Sequence, residues 1–275
     1  PPDRYRRQRQ MCIRDRSRRT IYRFIGTTQM IFFPFADENP SARTPYLTWS
    51  LIAVNVVVFL FQLSIGVQSN QALVSEFGVR PSVFSDFENL HTLVTSAFLH
   101  GGFMHLVSNM VVLYIYGDNV ESHLGRTNFL IFYALGGIFA AYFQSIFSGG
   151  QNVPMIGASG CIAAIMGAYF VLYPTAKVKV FVWFLIFVQI MRIPANIVIG
   201  FWIIGQLISA AGNSYDGVAY FAHIGGFVFG FVGIKYLFRK YVEKPKVYTD
   251  YEEVEDNDLP ISKKRKSQGL KRDDD

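Results

Sequence analysis

The chain has 275 residues, of which 51% are hydrophobic, 16% aromatic and only 17% charged. This balance is too apolar for a typical soluble globular protein and indicates a polytopic membrane protein. The net charge of +6 does not indicate nucleic-acid binding, because nine arginines and two aspartates within residues 1–29 contribute +7 and leave −1 on the rest of the chain. We therefore expect a lipid bilayer, and no nucleic acid, among the partners.

The chain divides into four regions. Residues 1–29 are predicted to be a non-native leader, because this arginine-rich stretch precedes Met30, which can open a native chain. Residues 30–46 are predicted to be a cytoplasmic segment, and residues 47–240 a membrane domain. Residues 241–275 alternate acidic and basic blocks with very few apolar residues, so they are predicted to form a disordered cytoplasmic tail.

The membrane domain contains apolar stretches near the length that crosses a bilayer. Six of them are candidate helices: 47–65, 103–120, 127–147, 157–173, 195–211 and 218–238. A seventh run, Val178 to Ile193, is rich in β-branched and aromatic residues and closed by Arg192 and Pro194, so we predict an interfacial or re-entrant segment there. The expected fold is an all-α polytopic bundle of six transmembrane helices.

Basic residues are distributed unequally between the connections. Residues 66–102, 148–156 and 212–217 contain only Arg80 as a basic residue, whereas the opposite connections carry Arg43, Arg126, Lys177, Lys179, Arg192, Lys235, Arg239 and Lys240. The positive-inside tendency places the basic side, and both termini, in the cytoplasm. The sequence shows no long organellar presequence, and we predict a prokaryotic plasma membrane.

Strongly polar side chains inside membrane spans are costly and mark candidate functional sites. Five of them fall in the outer half of the membrane by this topology: His100, His105, Asn109, Ser159 and His223. Ser159 lies between Gly157 and Gly160, whose small size permits a tight turn and the approach of a substrate chain. A serine in a membrane helix is more commonly a packing residue, so its meaning depends on its neighbours.

Small residues predict that Ser159 and His223 meet. Gly160 and Ala164 form one small-xxx-small pair, and Gly226 and Gly230 form another, and such pairs permit close approach of helix backbones. At hydrogen-bond distance, His223 can take the hydroxyl proton as Ser159 attacks an amide carbon, and return it to the leaving amine.

No intramembrane carboxylate is available to orient His223, since Asp118 and Glu121 fall near the cytoplasmic side. We therefore predict a catalytic dyad and no triad. His105 and Asn109 lie at i, i+4 on one helix face and can donate hydrogen bonds, as can the backbone N–H of Ser159. Donors that converge on one point would stabilise an oxyanion.

A metal site is the competing interpretation of the histidines. His100 and His105 are spaced i, i+5, Gly101 and Gly102 interrupt the helix, and no carboxylate lies beside them. This arrangement disfavours a metal site. We expect no metal and no other cofactor.

Three motifs in order resemble the rhomboid family: His100 with His105 and Asn109, then Gly157-Ala158-Ser159-Gly160, then Ala222-His223-Ile224-Gly225-Gly226. The resemblance extends over nearly all of residues 45–240, although residues 66–102 lack the Trp-Arg pair that many members carry. It implies a serine protease that cuts transmembrane segments of membrane proteins near the outer membrane face. It also implies that Ser159 is the nucleophile, His223 the base, and His105 and Asn109 part of the oxyanion hole, supported by His100, Gly157 and Gly160.

Two other functions are considered. A catalytically inactive rhomboid-like protein that binds transmembrane helices is the main alternative, although such proteins lose the nucleophile or the base, and both are present here. A proton-coupled transporter would call for inverted repeats or paired intramembrane carboxylates, and the sequence shows neither.

Overall fold

A computed structural model describes residues 31–39, 41–147, 149–184, 187–212 and 217–241. The predicted leader, and the predicted disordered tail from residue 242 onward, lie outside the described residues. The described chain is mostly helical, with six long helices: α1 (Tyr46–Ser64), α2 (Phe103–Leu124), α3 (Arg126–Phe147), α4 (Ser159–Leu172), α5 (Ala195–Ala211) and α6 (Tyr220–Tyr236).

Each long helix lies where the sequence predicted an apolar span. Among the described residues, α1 and α3 are long and apolar enough to cross a membrane. A third candidate span combines α2 with residues Thr92–Phe98, across a bend of 99°. The helices α4 and α5 are apolar but shorter, with 14 and 17 residues. The structure thus gives two or three candidate spans, and a count of six stays a prediction.

A small antiparallel sheet departs from the predicted all-α architecture. Its strands are β1 (Ile31–Asp37), β2 (Lys177–Phe184) and β3 (Phe187–Pro194), in the order β1-β2-β3. The run that we predicted to be interfacial or re-entrant is therefore a β-hairpin. The physical reason is that β-branched and aromatic residues favour strands, and that β1 supplies a pairing edge.

Two features of this sheet explain why the strands are tolerated. Val178 and Val180 are fully buried, whereas Lys177, the first residue of β2, is exposed and Lys179 is half-buried, as the alternation of side chains along a strand requires. Pro34 lies at a register shift in the pairing of β1 with β2, and such an irregularity accommodates a residue without a backbone N–H.

The sheet is attached to the helices by Asp37 at the end of β1. Its Oδ2 accepts hydrogen bonds from Asn119 Nδ2 at 2.9 Å and from Tyr169 Oη at 2.7 Å. Asn119 belongs to α2 and Tyr169 to α4. The N-terminal segment is thereby bound to two helices that also carry candidate site residues.

Small residues hold α4 and α6 together in parallel. A side chain added at Gly226 would meet the backbone of Gly160, and one added at Gly230 would meet the backbone of Ala164. Residue numbers rise together along the two helices at these contacts, so the helices are parallel. The predicted close approach of the two small-residue pairs is confirmed. Because backbone touches backbone, the spacing of these helices leaves no room for a larger residue.

The carboxylate of Glu121 connects the end of α2 to the beginning of α1. Although buried, it accepts hydrogen bonds from the backbone N–H of Leu47 at 3.0 Å, and from the backbone N–H and the hydroxyl of Thr48, each at 2.8 Å. Backbone N–H groups in the first turn of a helix have no partner within it. Glu121 therefore has a structural role, in which it caps the beginning of α1.

Replacement of Glu121 by alanine is expected to lower the free energy of unfolding by about 3 kcal/mol, because buried donors lose their acceptor. The change is measured by thermal unfolding in detergent. Glu76→Ala is the control, since Glu76 is exposed. Equal unfolding temperatures for the two variants would contradict the assigned role.

Candidate active site

Ser159 is the first residue of α4 and follows a turn that requires glycine. Gly157 has a φ of +117°, which L side chains rarely adopt, and its backbone N–H donates to the carbonyl of Ser96 at 2.9 Å. The first N–H groups of a helix have no acceptor within it, and the helix dipole is positive at this end. The turn therefore places the hydroxyl and the backbone N–H of Ser159 at the N-terminus of α4, where a negative charge is stabilised.

His223, the fourth residue of α6, lies beside this hydroxyl. Its Nε2 is 2.9 Å from Ser159 Oγ. The two residues are 64 positions apart in the chain, and the backbone contact of α4 with α6 brings them together. The sequence predicted this contact, and the structure places both side chains at hydrogen-bond distance.

The other ring nitrogen of His223 contacts a residue that the sequence analysis missed. Nδ1 lies 2.7 Å from Oε1 of Gln206 on α5. A second glutamine, Gln144 on α3, accepts a hydrogen bond from the backbone N–H of Ala222 at 3.0 Å. Both glutamines are neutral, so attention to charged and titratable residues does not find them. A polar residue in an apolar helix is nevertheless a sign of a functional or structural contact.

His105 and Asn109 lie beside the turn that precedes Ser159. A side chain built at Gly157 would come within 2.7 Å of His105 Nε2 and 3.9 Å of Asn109 Nδ2. Asn109 Nδ2 also donates to the carbonyl of His105 at 2.9 Å, and the backbone N–H of Gly101 donates to His105 Nδ1 at 3.3 Å. The two predicted oxyanion donors therefore lie close to Gly157, in the turn that leads into Ser159.

His100 is buried behind His105, with 1% of its surface exposed. The two imidazole rings are 5.1 Å apart, edge to face. Gln62 holds the backbone of His100, accepting from its N–H at 2.9 Å and donating to its carbonyl at 3.2 Å. His100 therefore packs against His105, and its supporting role in the site stays a prediction.

The last predicted site residue, Gly160, is packed between helices. A side chain added at Gly160 would meet Cβ of Ala140 on α3. The backbone carbonyl of Gly160 faces Gly226 on α6. In the described part of the chain, no group of three or more His, Cys, Asp or Glu side chains is arranged to hold a metal ion. The site consists of a serine, histidines and amides.

Comparisons with known proteins identify the family. A model of the rhomboid domain matches residues 88–240, more than half of the chain. "RHOMBOID-like protein 12, mitochondrial" of Arabidopsis thaliana is 31% identical over 192 residues, which cover 64% of this chain and 54% of that protein. "Rhomboid protein 1, mitochondrial" of Saccharomyces cerevisiae is 29% identical over 165 residues, 56% of this chain and 44% of that protein.

Bacterial proteins match as well. "Rhomboid protease GluP" of Bacillus subtilis is 31% identical over 125 residues, which cover 45% of this chain and 24% of that protein. The chain thus spans about half or less of the length of the curated relatives that it matches. On the strength of the domain match, the chain belongs to the rhomboid family and is a multi-pass integral membrane protein.

Proposed function

We propose that the protein is an intramembrane serine endopeptidase that hydrolyses peptide bonds in transmembrane segments of single-span or multi-span membrane proteins, near the outer membrane face. The observation that carries this proposal is the 2.9 Å contact of Ser159 Oγ with His223 Nε2. Family membership supports it, since relatives named as rhomboid proteases are among the matches.

In the proposed reaction, Ser159 Oγ bonds to the carbonyl carbon of the scissile peptide while His223 Nε2 takes the hydroxyl proton. The C–N bond then breaks, and His223 gives this proton to the leaving amine. Water attacks the resulting ester with His223 again as base, which releases the new carboxyl end and restores the hydroxyl. The whole cycle therefore needs one nucleophilic hydroxyl and one imidazole that acts in turn as base and acid.

Charge develops on the carbonyl oxygen during both attacks. Three donors are proposed to stabilise it: the backbone N–H of Ser159, the imidazole of His105 and the amide of Asn109. The position of Ser159 at the N-terminus of α4 supports this assignment, because the helix dipole adds to the local positive potential. Gly157 and Gly160 provide the space that the turn and the helix contact require.

The membrane arrangement is part of the proposal. Residues 47–240 are proposed to form a six-helix membrane domain, with residues 30–46 and 241–275 in the cytoplasm. Matches to the mitochondrial proteins of Saccharomyces cerevisiae and Arabidopsis thaliana do not support the narrower prediction of a prokaryotic plasma membrane.

A fluorophosphonate probe tests the nucleophile directly. The purified protein in detergent is expected to be labelled at Ser159, and to cleave a model single-span substrate. Ser50→Ala is the control, because Ser50 is a helix serine whose hydroxyl donates to its own helix at the Tyr46 carbonyl, 2.7 Å away. This variant should be labelled like the native protein, whereas Ser159→Ala should not.

Peptide mapping of the labelled protein decides the outcome. An adduct at another residue would overturn the assignment of Ser159. If the native chain were neither labelled nor able to cleave, but bound a transmembrane substrate without cutting it, the result would instead support the inactive, helix-binding alternative.

A further inference from the structure

We propose that Gln206 is a positioning residue of the dyad, which holds His223 in the tautomer that can accept the serine proton. This inference rests on the proposed function and extends the dyad to a third helix. The geometry points to Gln206 because its Oε1 is 2.7 Å from His223 Nδ1, on the side of the ring opposite Ser159.

The tautomer follows from the chemistry of the amide. A glutamine oxygen can only accept a hydrogen bond, so the proton of the neutral imidazole lies on Nδ1. Nε2 then presents its lone pair to the hydroxyl of Ser159, as a general base must. With the proton on Nε2, the nitrogen that faces Ser159 could not accept the serine proton.

Gln206 lies away from the fully buried part of α5. The buried residues of α5 are Ala195, Val198 and Ile199, all near its beginning. There α5 is tied to the preceding chain, where the backbone N–H of Ala195 donates to the carbonyl of Ala176 at 2.8 Å. Gln206 lies in the other half, next to Leu207, which is 51% exposed.

A second residue of α5 faces the same ring. Trp202 precedes Gln206 by four residues, so both lie on one helix face. Its ring centroid is 5.9 Å from that of His223. One face of α5 thus supplies an aromatic surface and a hydrogen-bond acceptor to the imidazole, which fixes both the plane of the ring and its proton.

Other groups around His223 do not replace Gln206. His105 on α2 is the titratable neighbour of the ring on another helix, and Tyr220 on α6 itself lies 6.5 Å away between ring centroids. Gln144 on α3 holds the backbone at Ala222 and not the ring. Among the described residues that contact the imidazole, none is a carboxylate, so Gln206 is its hydrogen-bond acceptor at Nδ1.

Gln206→Leu is expected to lower kcat by about tenfold to a hundredfold with little change in KM, since a half-buried donor loses its acceptor while substrate contacts remain. The acid limb of the pH-rate profile should move to lower pH, because the imidazolium also loses this acceptor. Leu207→Ala is the control on the same helix and should retain native kcat and profile.

Gln206→Glu separates positioning from a packing role. The carboxylate keeps the acceptor and favours the imidazolium, so the acid limb should move to higher pH, with activity recovered at alkaline pH. Opposite shifts of the limb in the two variants are the expected result. Unshifted profiles, or native kcat in Gln206→Leu, would overturn the proposal.

A readout independent of activity completes the test. In protein labelled with ¹⁵N-histidine, nitrogen NMR above the titration range should show His223 protonated at Nδ1, and Gln206→Leu should show a mixture of tautomers. If the native chain showed the Nδ1 tautomer but neither cleaved a substrate nor bound the fluorophosphonate probe, the positioning role of Gln206 would hold and the proposed protease function would be rejected. A mixture in the native chain would reject the positioning role.

Discussion

Ser159→Ala and His223→Ala are each expected to reduce kcat/KM for a transmembrane substrate by about 10⁴- to 10⁶-fold, and the double variant should be no worse than either single one. Residues that act as one unit lose most of their effect when the first is removed. Without the hydroxyl there is no atom to acylate, and without Nε2, at 2.9 Å, there is no base to deprotonate it. Initial cleavage rates in liposomes measure the effect.

The controls for this experiment must exclude loss of fold. Both variants should remain folded, because Ser159→Ala removes a single oxygen and His223→Ala removes a half-buried ring without enlarging any side chain, and their unfolding temperatures are measured beside that of the native protein. Ser50→Ala again serves as the matched serine control. If the effects of the two single changes multiplied in the double variant, the hydroxyl and the imidazole would be acting separately, and the dyad would be refuted.

Most of the candidate site was readable from the sequence because its residues are costly or unusually small. Ser159 and His223 stand out as polar groups in apolar helices, and Gly226 with Gly230 indicated which helices approach closely. Gln206 was missed for a physical reason. A neutral amide in a helix gives no hint of its partner, and its contact with His223 depends on how α5 is oriented in three dimensions.

The helices were predicted better than the sheet. Apolar length defines a helix in a membrane protein, and α5 spans the predicted residues 195–211. The hairpin of β2 and β3 could not be recognised in the same way, because an apolar run of its length fits a strand pair as well as a buried helix. Its pairing with β1 joins distant segments, such as Phe33 and Phe181, which are 148 residues apart, and no local pattern reports such a contact.

Gly230→Ala is expected to lower the free energy of unfolding by about 3 kcal/mol, since an added methyl group in a filled interface forces backbones apart. The methyl group would overlap the carbonyl of Ala164 on α4, which is backbone and cannot rotate away. Separation of α4 from α6 also moves Ser159 from His223. Because a misplacement of about 1 Å can cost 10²-fold in rate, cleavage should fall by at least that factor.

The matched control is Gly233→Ala, which adds the same methyl group three residues further along the same helix. There the nearest atom would be Cε2 of Phe132 at 3.4 Å, an ordinary contact with a side chain, so stability and cleavage should stay near native values. Thermal unfolding and initial cleavage rates of the two variants are compared in the same detergent. If Gly230→Ala behaved like Gly233→Ala, the spacing of α4 and α6 would not control the site. The expected contrast follows from what the methyl group meets, since a phenyl ring can shift by tenths of an ångström and a helix backbone moves only as a whole.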